Sequence, residues 1–117
     1  MSEGTGVRRG DVVIVRLDPV EGHEMKTTRA AVVVQNDVGN KNASTIIVAP
    51  ATGTYRGYPF EVLVEAAESA FENDSSIRLD QIRVVSVEQR IHSVLARLDA
   101  ETMEAVDEAS KLSFGLD

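Results

Sequence analysis

Short apolar runs recur along the first three quarters of the chain, each broken by Gly, Pro, Asn or Asp. The final stretch then switches to a helical period. Residues 11–17, DVVIVRL, are β-branched and apolar on both faces except at Arg16, between Gly10 and Asp18-Pro19, which predicts a largely buried strand. AAVVVQ (30–35) is a second strand, followed by NDVGNKNA (36–43), a turn-rich loop in which Asn and Gly tolerate left-handed geometry. STIIVAP (44–50) is a third, stopped by Pro50, and ATGTYRGYP (51–59) is a loop. In FEVLVE (60–65), Phe60, Val62 and Val64 alternate with Glu61 and Glu65, the pattern of a strand with one wet face. SIRLDQIRVVSV (76–87) reads as one or two short strands with a kink near Asp80-Gln81, and Ser86 and Gln89 have capping-box spacing for a short helix over 87–92. Beyond Asp99, an expected N-cap, Met103, Val106, Ala109, Leu112 and Leu116 recur at helical spacing on an otherwise acidic segment. The expectation is a mainly β fold with a C-terminal helix: five or six short strands in a small, strongly bent, barrel-like antiparallel sheet.

Composition narrows this picture. The 117 residues suit one domain with a single modest core, built from aliphatic side chains because there are three Phe, two Tyr and no Trp. Residues 1–8 are expected to form a flexible tail; they lack the apolar centre of a secretory signal, and no stretch is apolar enough to span a membrane, so a soluble, cytoplasmic protein is expected. With no cysteine, disulfides, thiolate nucleophiles and cysteine metal sites are excluded. The net charge of −7 is uneven: residues 1–58 carry seven Lys/Arg and six Asp/Glu, whereas residues 59–117 carry five and thirteen. That balance argues against a broad nucleic-acid-coating role and leaves room for a small basic site in the first half.

The candidate chemistry is sparse. His23 and His92 are far apart and have no metal-ligand spacing, and no phosphate loop, dinucleotide fingerprint or nucleophile elbow occurs, so neither metal nor cofactor is implied. Arg29, at the start of the second strand, offers a planar fork suited to phosphate; it can equally be a solvated edge residue or pair with Glu24. His23 beside Glu24 is either an acid–base group or a bystander. Thr52 and Thr54 flank Gly53 in a turn whose hydroxyls and amides can hold a phosphate oxygen, although threonine is ordinary in turns. Arg78 and Asp80, two apart, fall on one side of a regular strand as a structural ion pair or as part of a site.

Taken together, these stretches resemble the MazF/PemK family of toxin endoribonucleases. RRGDVVIVRLDP is similar to that family's opening strand and Gly22-His23-Glu24 to its Gly-(Ser/His)-Glu loop, while TRAAVVVQNDVGN, GYPFEV (57–62), LDQIR and LDAETMEAVDEAS follow its later segments in order. The likeness runs from about residue 8 to the C-terminus. It implies an SH3-like, CcdB-like barrel, a homodimer, and metal-independent, sequence-specific cleavage of single-stranded RNA to 2′,3′-cyclic phosphate and 5′-hydroxyl ends. It also implies a cognate antitoxin that blocks the RNA groove with an extended acidic segment. Two catalytic constellations carry over: Arg29 with Thr52, and His23 with Arg78 and Asp80. In the second, Asp80 would take the 2′-OH proton, Arg78 would protonate the leaving oxygen and His23 would steady the phosphate. Glu24, Asn36, Thr54, Tyr55, Tyr58 and Gln81 are candidates for RNA binding. The family's Pro after the catalytic Arg is Ala30 here, and MKTT follows Glu24 in place of a Gln-Gly-Gly-like turn. Two other readings compete: a CcdB-like toxin of the same fold that binds gyrase without catalysis, and an SH3-like module binding a peptide, which 4% aromatic content poorly equips.

Overall fold

The structure, a computed structural model, describes residues 6–17, 27–65 and 74–116. Its elements, in chain order, are β1 (Asp11–Leu17), β2 (Thr27–Val33), α1 (Asp37–Asn42), β3 (Thr45–Thr52), β4 (Glu61–Val64), β5 (Ser75–Arg78), β6 (Arg83–Ser86), α2 (Val87–Arg90), β7 (Ile91–Arg97) and α3 (Ala100–Phe114). All pairings are antiparallel, in the order β4-β5-β3-β2-β1-β7, with β6 also on β3. The architecture is the expected one, a strongly curled sheet closed by a C-terminal helix.

β3 organises the sheet. Along one edge its first half, Thr45–Val48, pairs with β6, and its end, Ala51 and Thr52, pairs with β5. The expected kink near Asp80-Gln81 is the turn between β5 and β6 that makes this change of partner possible, closed by the Gln81 N–H donating to the Arg78 carbonyl at 3.3 Å. Pro50 does not stop the strand. It ends the ladder with β2, whose last paired position is Ala31↔Pro50, because proline has no N–H to donate.

Buried apolar side chains lie on both faces of the sheet, as the two-sided apolar pattern of β1 requires. Val13, Val15, Ala31, Val33, Ile46, Val48 and Val85 form one core with Val7, and Val12, Val32, Ala49, Val62, Val64, Ile77 and Leu79 form the other with Val106 and Ala109 of α3. Val7 therefore belongs to the core, and the Arg8 N–H donates to Asp11 Oδ2 at 2.8 Å, so the loose tail expected over residues 1–8 does not extend that far; residues 1–5 lie outside the described residues.

Further expectations change. The segment 36–43 is a short helix: the Asn36 side chain caps it by accepting from the Gly39 N–H at 2.8 Å, and Gln35 Nε2 donates to Asn40 Oδ1 at 3.0 Å across its first turn. A Cβ on Gly39 would stand 2.9 Å from Gln35 Nε2, so the glycine keeps that bridge in place. The helix expected over 87–92 ends at Arg90, and β7 adds a strand absent from the sequence reading, giving seven among the described residues. α3 starts at Asp99, whose carboxylate accepts from the Thr102 N–H at 2.7 Å, and stops at Gly115 in the left-handed region (φ 76°). Of its expected apolar stripe, Val106 and Ala109 are buried and Met103 packs against them, while Leu112 and Leu116 are exposed. Leu112 faces an open groove of about 550 Å³ between α3 and β4 instead of the sheet. No helix among the described residues is long and apolar enough to cross a membrane.

Candidate active site

Arg29 lies near the start of β2, opposite Val15 of β1. Side chains alternate along a strand, so Arg29 shares the face of Ala31 and Val33. In the β2–β3 register Ala31 faces Pro50; continued two positions past the last paired residues, it aligns Arg29 with Thr52. Thr52 in turn pairs with Ser76 of β5, and Ser76 with Leu63 of β4. One row thus crosses the sheet on one face: Ile91, Val15, Arg29, Thr52, Ser76 and Leu63. Buried Val15 lies in this row, and at its centre half-buried Arg29 aligns with half-buried Thr52, where the β2–β3 ladder has ended. The Thr52 hydroxyl makes one long hydrogen bond, donating to the Thr54 carbonyl at 3.4 Å.

The neighbouring row holds Arg78, opposite Glu61 of β4. Two strands and one row separate Arg29 from Arg78, roughly 12 Å between Cα atoms at ordinary sheet spacings. Two arginine side chains on one face can reach a common nucleotide across that span. Arg78 is firmly held. Its Nε and Nη2 donate to the two oxygens of Asp80 at 2.9 and 2.7 Å, Glu61 Oε2 lies 3.4 Å from Nε, and the guanidinium stands 5.7 Å from the centre of the Phe60 ring. The hydrogen-bonded ion pair pushes Arg78 further above its ordinary pKa and holds the Asp80 carboxyl below the usual value of 3.8.

Strand alternation assigns Glu61 to a wet face, yet its side chain is fully buried. Its Oε1 accepts from the N–H groups of Arg56 and Tyr58 at 3.0 and 3.2 Å, which fixes the loop before β4, while Oε2 faces Arg78. On that loop Tyr58 stacks on Phe60 with centroids 5.1 Å apart and planes 13° from parallel, leaving Tyr58 half exposed. Tyr55, Thr54, Asn36 and Gln81 are exposed, and the Asn36 side-chain oxygen is engaged in capping α1. His23 and Glu24 lie outside the described residues.

The chain as a whole is similar to known proteins. A family model described as PemK-like, MazF-like toxin of type II toxin–antitoxin system matches residues 8–114. The chain belongs to that toxin family. It is 41% identical over 112 residues to endoribonuclease EndoA of Bacillus subtilis (strain 168), covering 94% of this chain and 96% of the relative. Among solved structures, toxin MazF-mt6 of Mycobacterium tuberculosis superposes with a TM-score of 0.77 at 25% identity, covering 92% of this chain and 98% of that one. An endoribonuclease in complex with its cognate antitoxin, from a mycobacterial species, also reaches 0.77 at 20% identity, covering 96% and 98%; at that identity it speaks for the fold.

Within this toxin, the arginines and the threonine are candidates from the sequence, whereas Glu61, Phe60 and Ser76 join them only through the structure. Periodicity alone sends Glu61 outward, and the register that sets it against Arg78 is a long-range property. Ser76 carries no local signal; its place beside Thr52 follows only from the β3–β5 pairing.

Proposed function

We propose that this toxin is a metal-independent endoribonuclease that cuts single-stranded RNA at short sequences, leaving 2′,3′-cyclic phosphate and 5′-hydroxyl ends. The observation that carries the reading is the alignment of Arg29 with Thr52 on one face of the sheet, in a chain 41% identical to an endoribonuclease. In this reaction the RNA supplies its own nucleophile. The protein has to align the 2′-OH with the phosphorus, move protons and stabilise a dianionic phosphorane. Arg29 braces the phosphorane through its planar fork, and Thr52 donates its hydroxyl to a non-bridging oxygen. His23, an acid–base side chain that the sequence supplies shortly before β2, is the candidate proton acceptor.

The ion pair argues against Asp80 as base and Arg78 as acid. A carboxylate held below its usual pKa is a weaker base, and a guanidinium held above its own is a weaker acid. Arg78 instead contributes positive charge beside the scissile phosphate. Tyr58, backed by Phe60, offers a face on which an unpaired base stacks, and Thr54 and Gln81 supply polar contacts. A cognate antitoxin with an extended acidic segment competes for this face, and the working unit is a homodimer in the cytoplasm.

The test is incubation of the purified protein with a long single-stranded RNA in EDTA, with Arg29→Ala and Thr52→Ala alongside, followed by mapping of cut sites and end chemistry. Discrete cuts ending in 2′,3′-cyclic phosphate are expected, with each variant slowed by about a hundredfold or more. An intact RNA, or an Arg29→Ala protein as active as the parent, would overturn the proposal.

A further inference from the structure

Ser76 stands directly opposite Thr52 across the β3–β5 ladder, with its side chain on the face that carries Arg29 and Thr52. It is 0% exposed, and its hydroxyl has no hydrogen-bond partner among the described residues. Buried hydroxyls almost always have one, because giving up water without replacement is destabilising. Ile77, the next residue, belongs to the opposite core, so the strand needs an inward-facing small residue at 76 but not a polar one. Alanine would meet the packing requirement without the unsatisfied oxygen. The hydroxyl therefore calls for a use that the free protein does not display.

The nearest group able to supply one is Thr52. Directly opposed residues in an antiparallel pair have Cβ atoms about 5 Å apart, close enough for Thr–Ser hydroxyls to bond. In the free protein the Thr52 hydroxyl is turned to the Thr54 carbonyl through a long contact of 3.4 Å, which is readily given up. Resting on the endoribonuclease reading above, we infer that Ser76 is a positioning residue for Thr52. When a phosphate enters, the Thr52 hydroxyl rotates away from Thr54 and accepts a hydrogen bond from the Ser76 O–H. Its own O–H is then directed at the non-bridging oxygen. The buried donor polarises Thr52 as charge builds on the phosphorane, and two hydroxyls in series bind more strongly than one. Ser76 never touches the RNA; being fully buried, it acts only through Thr52. The unsatisfied oxygen in the free state then acquires its partner in the transition state, where the interaction raises the rate.

This arrangement has a signature that ordinary packing lacks. Ser76→Ala removes an unpartnered buried hydroxyl, so its melting temperature should be no lower than that of the parent. Its kcat for a short oligonucleotide carrying one mapped cut site should fall by about three- to tenfold with KM unchanged. Ser76→Cys, close in shape but a weak donor, should follow alanine. In a Thr52→Ala background the Ser76→Ala change should have no further effect on kcat. Equal kcat for Ser76→Ala and the parent, or a fall in kcat that persists undiminished without Thr52, would overturn the inference while leaving the endoribonuclease reading intact. Full activity in Thr52→Ala alone, or no cleavage by the parent protein, would remove both.

Discussion

At the scale of single residues, the side chains that matter most here contradict their local pattern. Glu61 sits at a position that strand alternation assigns to solvent, yet it is buried against Arg78 and holds two loop N–H groups. Removing it leaves Arg78 with one carboxylate and strips the Arg56–Tyr58 turn of its acceptor. Glu61→Ala should therefore lower the unfolding free energy by about 3 kcal/mol, the usual cost of deleting one partner of a buried ion pair. Glu61→Gln, which keeps an oxygen for the loop amides, should cost less. Urea titration of both variants checks this, and equal losses would show that the loop hydrogen bonds contribute nothing. Arg29 and Thr52 illustrate the converse. Each is an unremarked residue type in its own neighbourhood, singled out first by likeness to a family and then by a register that aligns them. The sequence contained the residues, but nothing in it fixes which strand faces which.

The elements were more legible. β1, β2, β4 and α3 follow from apolar periodicity and from Asp99, and the kink at Asp80-Gln81 from the break between two short runs. The misses have physical causes. The 36–43 segment contains Gly39, Asn40 and Asn42, poor helix formers, and is helical because Asn36, Gln35 and Asp37 bind its ends and flank. Pro50 predicts the end of β3 because it lacks an N–H for the ladder, whereas in the structure it ends only the pairing on one side. Three carboxylates at element ends also set how these elements respond to acid. Asp80 is held below 3.8 by hydrogen bonds from Arg78, Asp37 by the Arg9 N–H, and Asp99 by the Thr102 N–H. Each binds its proton at lower pH in the folded protein than in the unfolded chain. The stability they contribute is complete above the unfolded value of 3.8 and is lost as pH falls through the lower folded values. Denaturation midpoints should accordingly drop below about pH 4, and Asp80→Asn should make that descent shallower. A variant with the parent's descent would show that the Arg78 pair does not couple to folding.

For the whole molecule, the sheet separates charge. The acidic excess of residues 59–117 resides in part on α3, whose Val106 and Ala109 pack on the face opposite Arg29, Thr52 and Ser76. A net charge of −7 is thus compatible with handling a polyanion, because the exposed Glu104 and Glu108 are carried by the helix on that opposite face. Salt screening over about 8 Å at physiological ionic strength weakens what such exposed charges exert at a distance. Glu104→Gln with Glu108→Gln should leave kcat and KM for RNA within about twofold, measured with the same oligonucleotide. A tenfold fall in KM would mean that the helix reaches the substrate after all. The packing of α3 on the sheet has one more consequence. Through Val106 and Ala109 it covers Val12, Val32, Ala49, Ile77 and Leu79. Arg29 and Thr52 therefore sit on strands whose other face depends on the helix for its cover. Whatever loosens the helix reaches the candidate site from behind, with no residue on its own face changed.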